Sequence, residues 1–261
     1  MAIREKSTLQ GDRNTIEDFT PQQILRGPTI RHWSETRAQW AVAILLAIMA
    51  GYLDGYGFFF LKTYVSFMSG NTTSTGLRIG QGDFHAAIPS AIAILFFATG
   101  SFLGNAVTQS KFRHSHRVVF GLIAILLAII TVLQRSGLSH VNTEIVFLCL
   151  AMGMTNPALS KIGAEAVSVT FVTGTLSRIG SYLASAATGK PLKEPQGPIA
   201  TPLMREIADS HLSRAWVEGT IWCAFLVGAV LTGIAGTDFR MWALLPPLVV
   251  MLALSLFSSV D

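Results

Sequence analysis

Several long runs of this chain contain no charge, and nothing constrains its fold more. Ala86 to Thr108 has no Asp, Glu, Lys or Arg, and Trp40 to Leu61 has one carboxylate, Asp54. Val118–Leu133, Ile145–Ser160, Gly219–Ile234 and Met241–Val260 are also free of charge. A helix needs roughly 20 apolar residues to cross the hydrocarbon core, with about 17 as a practical minimum. Segments of this kind have no polar face to turn toward water. Charged residues make up 13% of the 261, against about 25% in soluble domains. Barrel strands would alternate over segments of about 10 residues, and the runs do not. The expected fold class is an all-α polytopic membrane protein.

The charges between the runs suggest an orientation. Basic residues gather in three regions: Arg4 to Arg37, the stretch with Lys111, Arg113 and Arg117, and Lys190 to Arg214. The connections around Arg135 and Arg240 hold one basic residue each. The positive-inside rule puts the first three in the cytoplasm. An even number of crossings then separates the tail from Lys111, and an odd number separates Arg135 from Lys190. The expectation is about six transmembrane helices plus two broken or re-entrant motif segments. Residues 1–39 are read as a partly disordered cytoplasmic tail, without the apolar core of a secretory signal. Residues 40–260 are read as the transmembrane domain, in the inner membrane.

The two motif segments, "VSFMSGNTTSTGLRIG" at Val65–Gly80 and "VSVTFVTGTLSRIG" at Val167–Gly180, align with each other. Phe67 to Asn71 pairs with Phe171 to Thr175; upstream, Gly51 and Asp54 pair with Gly153 and Asn156. Repeat one covers about 40–134 and repeat two about 144–260. With three crossings in each, the second copy is inverted relative to the first, as in many secondary transporters. Full crossings by both motifs would make the repeat parallel and put the Lys111 loop outside, against the charge pattern.

"GYLDGYGFF", "SFMSGNTT" and "FVTGTLSRIG", in this order, resemble the YoaK-like family of bacterial integral membrane proteins, a domain of unknown function. The similarity runs from about Ala38 to near the C-terminus. The family pattern has Thr where this chain has Ser69 and Ala where it has Gly55; both exchanges keep small or hydroxylated character. The resemblance implies a polytopic membrane fold and brings no substrate or activity.

The motifs have chemistry of their own. Gly70 and Gly174 permit a sharp backbone break, and non-helical backbone lies at membrane depth only within protein or beside a water-filled cavity. Asn71 and Thr175 can cap new helices starting at Thr72 and Leu176. Such helix starts, with the hydroxyls of Ser69, Thr72 and Thr173, would form an anion-binding surface. Packing is the competing reading, since Gly, Ser and Thr let membrane helices approach closely. Gly100 and Gly104 are read as packing only. Asp54 is a candidate coupling residue or a structural hydrogen-bonding group, because a carboxylate in an apolar segment usually meets a cavity or a partner. Asn156, before Pro157, is expected to line the same centre at a second discontinuity or at a simple kink. Arg78 and Arg178 either attract an anion or snorkel to headgroups. Glu165 and Glu218 are expected near the interfaces without a role.

No catalytic motif is recognised, and Cys149 and Cys223 stand apart from any Cys/His cluster, so no metal site or cofactor is expected. The functional expectation is secondary transport of a small polar or anionic solute, with possible proton coupling through Asp54. The alternatives are a non-transporting assembly or sensor partner and a membrane-embedded enzyme. The expected partners are the lipid bilayer and the solute, with no nucleic acid; a homo-oligomer is left open.

Overall fold

The apolar runs become helices. The computed structural model describes residues 30–110, 114–158, 161–162, 165–166, 172–188, 211–235 and 242–257. Helix α1 (Ile30–Tyr56) passes into a π-helical turn at Gly57–Leu61. There follow α2 (Met68–Gly80), α3 (Phe84–Thr108), α4 (Ser115–Arg135) and α5 (Val141–Ala158). A two-residue antiparallel ladder then pairs β1 (Lys161–Ile162) with β2 (Glu165–Ala166). The chain continues with α6 (Val172–Thr188), α7 (His211–Ala235) and α8 (Leu245–Phe257). Helix α1 already begins at Ile30, inside the stretch expected as tail; residues 1–29 lie outside the described residues.

Trp40–Leu61, Phe84–Thr108, Ser115–Arg135 and Leu212–Ala235 are long and apolar enough to cross a membrane. Helix α5, at 18 residues, sits near the practical minimum, and α8 has 13. The protein is a polytopic helical membrane protein.

Local signals set the helix ends. Helix α2 stops where Gly82 takes a left-handed φ of 77°, with Asp83 N–H donating to the Arg78 carbonyl and Gly82 N–H to that of Ile79. Helix α4 ends the same way at Gly137, φ 69°, with Leu138 N–H bonded to Leu133 and Gly137 N–H to Gln134. Both are Schellman closures, which satisfy the last free carbonyls. Asp83 then caps the next helix at once, its side chain accepting from Ala86 N–H at 3.0 Å. Helices α2 and α3 therefore form a tight hairpin.

Two helix pairs dominate the packing, α1 with α7 and α3 with α5. Both rely on glycines where backbones touch. A Cβ at Gly51 would overlap the carbonyl of Phe225, and one at Gly228 that of Ile48. In the second pair, Gly100 lies on the Leu150 carbonyl and Gly153 on that of Phe97. One turn along each contact, Thr232 sits against Gly55 and Pro157 against Gly104. This is small-xxx-small packing, as expected for Gly100 and Gly104. Helix α4 lies against α5 and α8, burying Val119, Phe120, Ile123, Ala124, Leu127 and Ile130 along one face.

Gly100→Val should therefore lower stability by about 3 kcal/mol, the upper end for overpacking. Gly233→Ala, where nothing lies within 4 Å, should cost nothing. Unfolding of both variants in mixed detergent micelles reads the difference.

Candidate functional site

The site is built by the way α1 ends. After Tyr56 the helix widens into the π turn, and Lys62 adopts a left-handed conformation, φ 55° and ψ 27°. Non-glycine residues rarely take it. The next residues fold back along the helix they have left. Thr63 N–H reaches the Gly57 carbonyl at 3.3 Å. Gly57 makes room for this return, because a Cβ there would lie 2.6 Å from the Thr63 oxygen and 2.8 Å from Val65 Cγ1.

The returning chain ends on Asp54. Its Oδ1 accepts the backbone N–H groups of Val65 at 2.9 Å and Ser66 at 2.6 Å. Its Oδ2 accepts the Ser66 hydroxyl at 2.6 Å. Asp54 is 6% exposed. Leu61 lies seven positions beyond Asp54, so at 1.5 Å per residue the chain has come back roughly 10 Å. Asn71 adds a second clamp: its Nδ2 donates to the Tyr64 carbonyl at 2.7 Å, and its Oδ1 accepts from Tyr64 N–H at 3.3 Å. Both side chains hold backbone that no ladder or helix satisfies.

Two expectations are corrected here. Helix α2 starts at Met68 and not at Thr72, so Gly70 lies within its first turn and the break precedes it, at Lys62–Phe67. Gly174 likewise lies inside α6, described from Val172, ahead of the expected start at Leu176. The Val65 and Ser66 N–H groups are bonded to the protein's own carboxylate, so the first motif does not offer them to a solute.

A cavity of about 440 Å³ opens beside Asp54. Gly51, Gly55 and Phe58 line it from α1 and the π turn, Tyr64 and Phe67 from the returning segment, Phe225 and Ala229 from α7, and Val172 and Thr173 from the start of α6. The returning segment and the start of α6 thus meet at one space. Of the candidate binding and coupling residues, Asp54 and Thr173 line it. Ser69 and Thr72 are exposed on α2, where the Thr72 hydroxyl returns to the Met68 carbonyl at 2.8 Å. Gly70 lines a second groove of about 440 Å³ along α2, with Thr73, Ser74, Leu77, Arg78 and Gln81. Thr175 is buried in α6. Asn156 lies in α5, which runs unbroken through Pro157 to Ala158, and it is not among the residues that line the Asp54 cavity.

Two buried carboxylates escaped the sequence reading. Glu218, expected at an interface, is 4% exposed and takes a bidentate pair from Arg178, Nε to Oε1 at 2.6 Å and Nη2 to Oε2 at 3.2 Å. The pair ties α6 to α7. Helices α2 and α3 are tied by a hydroxyl pair, Thr75 to Ser90 at 2.7 Å. Glu144 accepts from Tyr56 at 3.0 Å, Gln134 at 2.9 Å and Ser139 at 2.7 Å. Glu165 has its backbone in β2. Arg78 stays half exposed, 3.9 Å from Asp83. Among the described residues no group of three His, Cys, Asp or Glu is placed to hold a metal ion.

Apolar spans, close backbone contacts and a helix carboxylate that holds a fold-back segment define an integral membrane protein built around a broken first helix. More particularly, the chain belongs to the family described as "Protein of unknown function (DUF1275)", whose family model matches residues 42–257. It is 31% identical over 151 residues to a UPF0700 transmembrane protein of Rhizobium meliloti (strain 1021). That match takes in 57% of this chain and 63% of the relative, so it spans less than two thirds of the relative's length. No solved structure matches.

Asp54→Ala should leave the Val65 and Ser66 N–H groups unpaired and destabilise the fold by about 2–6 kcal/mol, at 1–3 kcal/mol per buried donor. Hydrogen exchange should then speed up at residues 63–67 by at least tenfold, with α4 unchanged. Asn71→Ala should show the same pattern centred on Tyr64.

Proposed function

We propose that the protein is a secondary transporter or permease, moving a small polar solute through the cavity between its two broken segments. One observation carries the reading: residues of the first broken segment and the start of α6 line the same space as Asp54. Binding sites of transporters commonly lie where discontinuous segments of two repeats meet. As the one carboxylate among the described residues of that lining, Asp54 is the group through which a proton would couple. An anionic solute would draw its support from the start of α6 at Thr173, because Asp54 already takes the donors ahead of α2.

The proposal includes six spans in two inverted repeats, with the N-terminus in the cytoplasm of an inner membrane. The packing supports it. If α1 corresponds to α5 and α3 to α7, the α1–α7 pair becomes α5–α3, and the α2–α3 hairpin becomes α6–α7; all four contacts occur. The glycine contacts follow the same exchange, Gly51 with Gly228 against Gly153 with Gly100. Charge supports the orientation, through Lys111, Arg113 and Arg117 between the apolar stretches of α3 and α4 and Lys190 to Arg214 between those of α6 and α7.

In a Cys149→Ala, Cys223→Ala background, His114→Cys and Ser213→Cys should react with a membrane-impermeant maleimide only in inverted vesicles, and Ser136→Cys only in intact cells. Reaction of His114→Cys from outside would make the repeat parallel. Alternating access further requires Thr173→Cys to react from both sides. Reaction from one side or neither overturns transport and leaves a structural or partner role.

A further inference from the structure

We propose that the Asp54 cavity binds an organic monocation of the ammonium type, a substrate class that rests on the transport reading above. Phe58, Tyr64 and Phe67 form a continuous aromatic wall. Phe58 and Tyr64 stack with ring centroids 5.0 Å apart, and Phe67 meets Tyr64 edge-on at 5.2 Å. Phe225 of α7 adds a fourth ring to the lining. Aromatic faces attract cations, and more strongly once water is excluded.

The charge balance points the same way. Val65 and Ser66 give Asp54 neutral donors, which spread its negative charge without cancelling it. Among the described residues that line the cavity none is Lys, Arg or His. An anion would meet an uncompensated carboxylate, and a neutral solute would leave it uncompensated. A monocation balances it in surroundings where water screens little. The start of α6 brings a fractional positive charge to the Thr173 end. That confines a cation to the end nearer Asp54 and Tyr64. A space of about 440 Å³ falls in the range of pockets that bury a small organic ligand.

The test uses the full chain in lipid nanodiscs and three water-soluble probes: benzyltrimethylammonium, benzyl alcohol and benzenesulfonate. Saturation-transfer NMR titrations measure each. The expected result is saturable binding of the ammonium at least tenfold tighter than the alcohol, and no binding of the sulfonate. Asp54→Asn keeps an oxygen for the Val65 and Ser66 N–H groups while removing the charge. It should weaken the ammonium at least tenfold and leave the alcohol unchanged. Phe58→Leu removes a half-exposed ring that stacks on Tyr64 while leaving the Asp54 and Asn71 hydrogen bonds of the returning segment in place; it should weaken the ammonium at least threefold, and it carries the test if Asp54→Asn fails to fold. Equal affinity for the alcohol or the sulfonate, or a charge preference that survives these substitutions, overturns the cation site. The Thr173→Cys labelling separates the two readings. Cation binding with one-sided labelling keeps the site and overturns transport, whereas two-sided labelling without charge preference does the reverse.

Discussion

Everything distinctive in this fold depends on one carboxylate accepting the N–H groups of a chain that has turned back on its own helix. Placing Asp54 in an apolar segment costs about 2.5–3.5 kcal/mol on insertion scales. The Val65 and Ser66 donors carry the opposite liability, since backbone N–H groups away from water need acceptors. Each removes the other's penalty, at 2.6–2.9 Å. The π turn and the left-handed Lys62 make the reversal possible, Gly57 clears its path, and Asn71 fixes the Tyr64 backbone. Without Asp54 the Val65 and Ser66 N–H groups would lose their acceptor, and the segment that brings Tyr64 and Phe67 to the cavity wall would be held less firmly.

The second constraint is the interlock of the two halves. Helix α1 belongs to the first and α7 to the second, yet their backbones touch at Gly51 and Gly228. Helices α5 and α3 do the same at Gly153 and Gly100. Close backbone approach maximises dispersion contacts where no hydrophobic force separates lipid from helix. The halves differ in what ties down their short polar helices: a hydroxyl pair between α2 and α3, an Arg–Glu pair between α6 and α7. Breaking the Arg–Glu pair would strand Glu218, a buried charge, at a cost of about 3–5 kcal/mol; loss of the hydroxyl pair costs far less.

Uncharged runs made the spans legible, because the length of an apolar helix is a direct property of sequence. Asp54 stood out for the same reason, as the lone charge in its run. Thr173 was legible through its alignment with Ser69, although only Thr173 lines the cavity. The position of the break was not. Gly70 carried the sequence signal for a break, but Lys62, a residue with no bias toward left-handed φ, makes the turn. The Oδ1 partners of Asp54 were hidden because they are backbone groups 11 and 12 residues on, which any sequence could supply. Glu218 was misread because its proximity to an apparent membrane boundary says nothing about Arg178, 40 residues earlier in the chain and on another helix.

The way Asp54 is satisfied bears on the order in which the chain is made. At roughly 5–20 residues per second of synthesis, Val65 and Ser66 follow Asp54 within a few seconds. Helix α7, which completes the packing of α1, begins at His211, on the order of ten seconds or more later. During that interval α1 has its glycine face open to lipid and no distant partner, but its charge already has local donors. A nascent first half can therefore wait in the membrane with the charge of Asp54 matched, leaving its glycine face, Tyr56 and Gln134 for the second half to cover.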